Sequence, residues 1–457
     1  MTFSNTVLME PKALQDGTMG SQTQERWMTF TPNNYKSLRE YGGTCFYFAL
    51  ELFQSLGGTV PVGTLHSAWG ATFIEAWSSP QTQRQCDPKN ELTYNYRQGE
   101  DDGFSEKPRN DRHALYNGML ASLLHSRYAG IIWYQGEENA RHPLHYQCYF
   151  PSMIQDIRDR LGYTVPFIFM QLASYYASQS NVLFLSEMRV WAQPSALELI
   201  KTRMASVVDH YDPKSQFDEI HPRDKKGAAH RFFLEAASLV YGETNMPTYP
   251  KVVAIETVPE QREIIIELSH PRSCFAASIC TTEAVGELTT CEFEVGTGGI
   301  VPSYLTLTGY DDFHTWTKVA GTFSSRERLR NGVRYSTITL HLPQNFNIEE
   351  TPFGLRYGWG NVPRLSLISN EGLPLRPFWK RLAAISKFDS EEVQPELLQS
   401  YVALPRISAN SGSSASRMTM LFVVILIAGV VFSQLCKQND CARKQMPLKS
   451  KHVHSNA

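Results

Sequence analysis

Ile131-Ile-Trp-Tyr-Gln-Gly-Glu-Glu-Asn139 is the stretch that decides the fold. With Gly130 in front, it starts as a short apolar run of β-branched and aromatic residues, which suits a strand buried on both faces. It then breaks into a polar turn with an amide, a glycine, two carboxylates and a second amide. Open α/β sheets place their ligand sites where buried parallel strands spill polar groups at their carboxyl ends. Two other stretches are expected at the same rim. One is Val62-Gly-Thr-Leu-His-Ser-Ala-Trp-Gly-Ala-Thr-Phe-Ile-Glu-Ala-Trp77, and the other is Asp218-Glu-Ile-His-Pro-Arg-Asp-Lys225.

Outward from that strand, apolar spacing predicts alternating helices and strands. Thr44–Leu56 reads as a helix with a threonine cap, stopped by Gly57-Gly58, and 60–69 as a strand. His113–His125 reads as an amphipathic helix with Leu115, Met119, Leu120, Leu123 and Leu124 on one face. Pro143–Leu161 is helical, 166–172 and 204–208 are strands, and a helix runs over Pro222–Tyr241 with proline at its first position. Strands alternating with helices over 41–245 imply a parallel sheet covered on both faces. Residues 1–40 are polar and irregular.

After Pro250 the pattern becomes β-rich, at 251–258, 263–269, 291–295 and 335–342, which predicts a small antiparallel domain over 250–380. Residues 352–377 read as loop, and 381–416 as a linker ending Ser-rich. Met418–Leu435 is an uncharged apolar run of 18 residues, long enough to span a bilayer as a helix. Lys437, Arg443, Lys444, Lys449 and Lys451 follow it, and only Arg417 lies close before it. The positive-inside rule then puts a basic tail, 436–457, in the cytosol and residues 1–416 on the lumenal or extracellular side.

In 457 residues, 42% are hydrophobic, ample for a sizeable core, and the net charge of −2 gives no support for nucleic-acid binding. Six of the eight cysteines precede the apolar run, without a CxxC pair. They fit disulfides in an oxidising compartment as well as reduced thiols; the membrane argument favours disulfides.

The candidate chemistry lies in the three rim stretches. In Asp218-Glu-Ile-His221 a carboxylate can fix the tautomer of an imidazole acting as general base, against the alternative of an ordinary surface histidine. Gly70, after a strand, can bring its backbone N–H to a developing oxyanion, or can be a plain turn glycine. Gln135 and Asn139 supply amides, either as oxyanion donors or as turn caps. Glu137 and Glu75 are substrate-facing carboxylates or structural ones, with Glu75 the better structural candidate. His142 and His145 have HxxH spacing but lack a third ligand, so no metal is expected.

Taken in chain order, these blocks with Leu115-Tyr-Asn-Gly-Met-Leu120, Pro166-Phe-Ile-Phe-Met-Gln-Leu172, Leu355-Arg-Tyr-Gly-Trp359 and Gly372-Leu-Pro-Leu-Arg-Pro-Phe378 resemble the sialate O-acetylesterases, part of the SGNH-hydrolase superfamily. The resemblance covers roughly residues 25–380. It implies a three-layer α/β/α flavodoxin-type parallel sheet, hydrolysis of acetyl esters on sialic acid hydroxyls, and no cofactor. It makes His221 the base, Asp218 its orienting acid and Gly70 the oxyanion-hole glycine. The chain has Gly70-Ala71 where that family usually has Gly-Gly. Gln135, Gly136, Glu137 and Asn139 fall in the block that supplies the polar wall and amide donor.

One element departs from the pattern. The family's nucleophile sits in a Gly-Gln-Ser-Asn-Met-like turn after the first strand, and no such turn occurs here. No signal peptide precedes the domain either, although the topology calls for one. Both lines give the expectation that the amino terminus is incomplete and that the chain as written is inactive. A membrane-anchored, glycan-binding pseudoenzyme is the alternative. Loss of the first strand is expected to leave an exposed apolar sheet edge.

Overall fold

The structure, a computed structural model, describes residues 42–89, 110–176, 184–269, 287–297, 315–330, 333–344, 353–363, 367–369, 371–382 and 387–389. It also describes the short pieces 2–3, 275–276 and 421–426 and the single residues 346 and 365. Five short strands precede the β-rich region: β1 (Thr2–Phe3), β2 (Gly63–His66), β3 (Gly130–Tyr134), β4 (Phe167–Gln171) and β5 (Thr202–Ser206). All belong to one parallel sheet of six strands. β3 and β4 are buried at every position, as the unbroken apolar runs require.

The sixth strand is Leu421–Leu426, which lies parallel between β2 and β3. Its residues 421–424 pair with 63–66, and 422–426 pair with 130–134. This corrects the expectation of a transmembrane helix over 418–435 for those six residues; the rest of that run lies outside the described residues. Among the described residues, no helix is long and apolar enough to cross a membrane. An apolar run satisfies a buried parallel strand and a membrane span equally well, and periodicity cannot separate them. Loss of the first strand is expected to leave an exposed apolar edge; between β2 and β3 the backbone is instead paired on both sides by Leu421–Leu426.

The helices follow from local chemistry. Gly43–Ser55 forms the first, and its N-cap is Gly42, without the side-chain cap expected of Thr44. Pro143–Leu161 begins with proline at N1 and ends at Gly162, whose left-handed backbone (φ 72°) lets its N–H close on the Arg158 and Asp159 carbonyls. Pro151 inside this helix cannot donate to Gln147; the Gln147 carbonyl accepts from Ser195 Oγ at 3.2 Å instead. His113–His125 is not one α-helix: a π turn over Tyr116–Leu120 runs into a 3₁₀ turn over Ala121–His125. The Met119 carbonyl accepts from Ser67 Oγ at 3.0 Å, a bond from outside the helix that competes with its ladder. The last helix of this region starts at Lys225, not Pro222, because Asp224 caps it through Gly227 N at 2.7 Å. Arg223 is held in the preceding turn by two side-chain bonds to Asp212, at 2.7 and 2.8 Å, and a backbone one at 3.0 Å.

The Pro80–Cys86 helix is bound to Pro143–Leu161 by the disulfide Cys86–Cys148. Closing a loop of 62 residues stabilises the fold by about 4 kcal/mol in the chain-entropy account. The core beneath includes Trp77 and Trp133, packed edge to face at 6.2 Å.

From Lys251 on, eight antiparallel strands form a second sheet with its own core around Ile264, Ile266, Phe293 and Ile338. Phe353–Tyr357, expected as loop, is a strand between Glu287–Thr297 and Phe378–Leu382. Lys387–Asp389, within the expected linker, pairs with 254–256. Two buried arginines join this sheet's loops to the parallel sheet. Arg189 donates to the Leu172, Gly360 and Asn361 carbonyls at 3.0, 3.1 and 3.1 Å. Arg231 bonds Ser206 O, the Asp209 carboxylate and Gly372 O. The segments around Trp359 and Gly372 thus serve docking.

Candidate active site

The carboxyl ends of the parallel strands carry the polar residues, as the sheet topology dictates. β2 ends in His66, β3 runs into Gln135–Asn139, and β5 leads to the loop that precedes the Lys225–Tyr241 helix.

At the first two ends the side chains are locked together. Asn139 Oδ1 accepts from Ile74 N at 2.8 Å and from Gln135 Nε2 at 2.9 Å. Asn139 Nδ2 donates to Glu75 Oε2 at 3.0 Å, and Gln135 Nε2 also donates to Thr72 O at 3.0 Å. Glu75, Gln135 and Asn139 are all buried. This network ties the turn after β2 to the turn after β3 across more than sixty residues of sequence. Glu75 is therefore structural, and at least one Asn139 N–H is committed to it. Gln135 Oε1 is buried with no partner among the described residues.

Gly70 and Ala71 sit in the bend held by that network. The Gly70 N–H donates to no described acceptor, so it remains available to a ligand. Ala71 has φ of 52°, the left-handed region where an alanine Cβ is strained. The preference for glycine at this position follows from that backbone. Gly136 is obligatory for a second reason: with φ 133°, an added Cβ would lie 2.6 Å from Met188 Cε.

The other side of the rim is different. His221 N bonds Asp218 O at 2.9 Å, and Ser215 Oγ donates to His221 O at 2.7 Å, so the backbone is fixed. The imidazole has no hydrogen-bond partner among the described residues. Burial, and secondarily the Lys225 charge, pull it down to about 4, so the ring is neutral at pH 7 and able to accept a proton. Asp218, at φ 74°, turns its Oδ1 to Glu219 N at 2.7 Å. Its charge reaches His221 without a hydrogen bond to the ring. Burial raises Glu137 to about 7, against the pull of its own backbone amide and of Lys225.

Sequence reasoning singled out neither His66 nor Lys225. His66, at the end of β2, approaches the Gly43–Ser55 helix so closely that a Cβ on Gly42 would lie 2.9 Å from its Nε2. Burial pulls its ring to about 4. A histidine at a strand's carboxyl end was the available signal. Among the described residues no group of three or more His, Cys, Asp or Glu is placed to hold a metal ion. His142 and His145 stack on each other at 5.4 Å.

The carboxyl edge of the parallel sheet thus carries a bend at Gly70–Ala71 braced by side-chain amides, and a neutral His221 ring with no hydrogen-bond partner among the described residues. Residues 29–229 match the family model "carbohydrate esterase, sialic acid-specific acetylesterase". It is 30% identical to a Mus musculus sialate O-acetylesterase over 280 residues, covering 53% of this chain and 51% of that protein. With the Homo sapiens sialate O-acetylesterase it shares 34% over 217 residues, or 44% and 40% of the two chains. The chain thus matches about half the length of these relatives or less. A carbohydrate acetylesterase from Xanthomonas citri, whose crystal structure superposes with a TM-score of 0.59, is 22% identical. It covers 83% of this chain and 72% of its own, and shows the shared fold.

Proposed function

We propose that the chain carries the histidine-bearing part of a sialate O-acetylesterase site, which removes O-acetyl esters from sialic acids. The observation that carries it is the neutral His221 ring, unpartnered among the described residues at the rim where Gly70 N–H is also open. In this reaction a serine oxygen adds to the acetyl carbonyl while His221 takes its proton. Gly70 N–H bonds the developing oxyanion, and the Glu75–Asn139–Gln135 network holds the bend that presents it. The sugar leaves with the proton from His221, and the acetyl-enzyme forms. Water, deprotonated by His221, then releases acetate.

No Gly-Gln-Ser-Asn-Met-like turn occurs in the sequence, so this chain supplies the base and the oxyanion bend without an assigned nucleophile. That absence favours a second reading, a glycan-binding protein that does not turn over. The experiment is to incubate the chain with an O-acetylated sialoside, measuring both binding and acetate release. Binding without release is expected. Release at enzyme-like rates that vanishes in His221→Ala would reveal a nucleophile elsewhere in the chain. No binding would sink both readings.

The same proposal places the domain on the lumenal or extracellular side of the secretory pathway, supported by the Cys86–Cys148 disulfide. Residues 421–426 are paired in the parallel sheet, so anchoring through 418–435 is not part of this proposal. Extraction of cell membranes at alkaline pH tests that strand: a chain retained in the pellet as an integral protein would count against it.

A further inference from the structure

We infer that Lys225 is the residue that recognises the substrate's anionic group, taking the carboxylate of the sialic acid beside the ester to be cleaved. This rests on the function proposed above. Lys225 is the first residue of a helix of 17 residues, four positions after His221. Its stem packs on the start of the Gly43–Ser55 helix: a Cβ on Gly43 would lie 3.5 Å from Lys225 Cβ and 3.6 Å from Cγ. The ammonium is half-buried and has neither a hydrogen bond nor an ion pair among the described residues.

That placement is electrostatically unfavourable as it stands. A cation at a helix amino terminus faces the positive end of the dipole, and here a second helix begins against the same side chain. The carboxylates nearby do not neutralise it. Asp212 is committed to Arg223 through three bonds, and Asp224 Oδ1 to the Gly227 N–H. Glu137 interacts with Lys225 without pairing, and burial keeps it partly protonated near neutral pH. A partly desolvated cation left without a counter-charge favours an incoming anion. Of the substrate's groups, the acetyl ester, the hydroxyls and the amide are neutral, and only the carboxylate carries charge.

The test uses the full chain and two probes that cannot be turned over: the methyl glycoside of N-acetylneuraminic acid and the C1 methyl ester of that glycoside. Affinities are measured by calorimetric titration for the wild type, Lys225→Met and Lys225→Arg. The wild type is expected to prefer the free acid by about tenfold or more. Lys225→Met should bind both probes equally, at the affinity the wild type has for the ester, and Lys225→Arg should keep part of the preference. Equal wild-type affinities, or a preference that survives in Lys225→Met, would overturn the inference and leave the proposed function standing. Binding of neither probe would remove both. Should Lys225→Met not fold, reductive ¹³C-methylation of the wild type reads the same point. The dimethyl-Lys225 resonance should shift with the acid and not with its ester; a shift with both, or with neither, would refute the assignment.

Discussion

At the ends of β2 and β3 the polar side chains bond one another and leave only Gln135 Oε1 of that network buried without a described partner, whereas at the turn before the Lys225–Tyr241 helix the His221 ring and the Lys225 ammonium have none among the described residues. Glu75, Gln135 and Asn139 share four hydrogen bonds of 2.8 to 3.0 Å with each other and with the backbone of Thr72 and Ile74. His221 and Lys225 are also withdrawn from water, yet the ring and the ammonium have no partner among the described residues. Both groups of residues are of the types that catalysis uses. Pairing separates them: a buried polar group that is fully bonded holds structure, and one left unbonded waits for a ligand.

The sharpest way to break this contrast is Asn139→Leu. It removes the bonds from Asn139 to the buried Glu75 carboxylate and the Ile74 N–H, and should cost about 2–4 kcal/mol in chemical denaturation. A loss below about 1 kcal/mol would mean that the network is not bracing the rim. Next in size is Val424→Pro, in the strand that lies between the two braced ends. Proline removes a ladder donor between His66 and Ile132 and should cost about 1–3 kcal/mol. An unchanged midpoint would show that Leu421–Leu426 is not holding the slot.

The pH dependence tests the other side of the rim. Folded His221 stays neutral down to about 4, while the unfolded chain protonates near 6.5. The unfolded state therefore binds more protons between those values, and stability falls as the solution is acidified through them. Glu137 acts in the opposite sense. Its folded form keeps the proton up to about 7 and the unfolded chain releases it near 4.5, so its contribution is full below 4.5 and is lost as pH rises through 7. Urea midpoints against pH should show a shallower acid limb in His221→Ala and a shallower decline toward neutrality in Glu137→Gln. Unaltered limbs in both would place these groups in water. The smallest effect expected is Ala71→Gly. Relief of the left-handed alanine, less the entropy of glycine, should stabilise by about 0.5–1 kcal/mol in thermal denaturation. Destabilisation instead would count against that backbone.

Much of this was legible in the chain. Pro143–Leu161 is helical as its spacing predicts, and Gly130–Tyr134 is the strand its apolar run predicts. The rim blocks were found because their polar residues follow strands. In the sequence Lys225 is only the end of a motif, since its significance lies in the helix that begins beside it at Gly43. The helix start was misplaced at Pro222 because Asp224 is the better cap.

The sequence by itself determined the alternation of elements and the sheet type, because these depend on side-chain patterns repeated over a few residues. Only the tertiary structure decided which polar groups are spent on one another. Asn139 and Glu75 lie 64 residues apart, and no local pattern records that bond. It also decided the use of Leu421–Leu426, because an apolar run is neutral between bilayer and sheet until a gap between two strands offers its backbone partners on both sides.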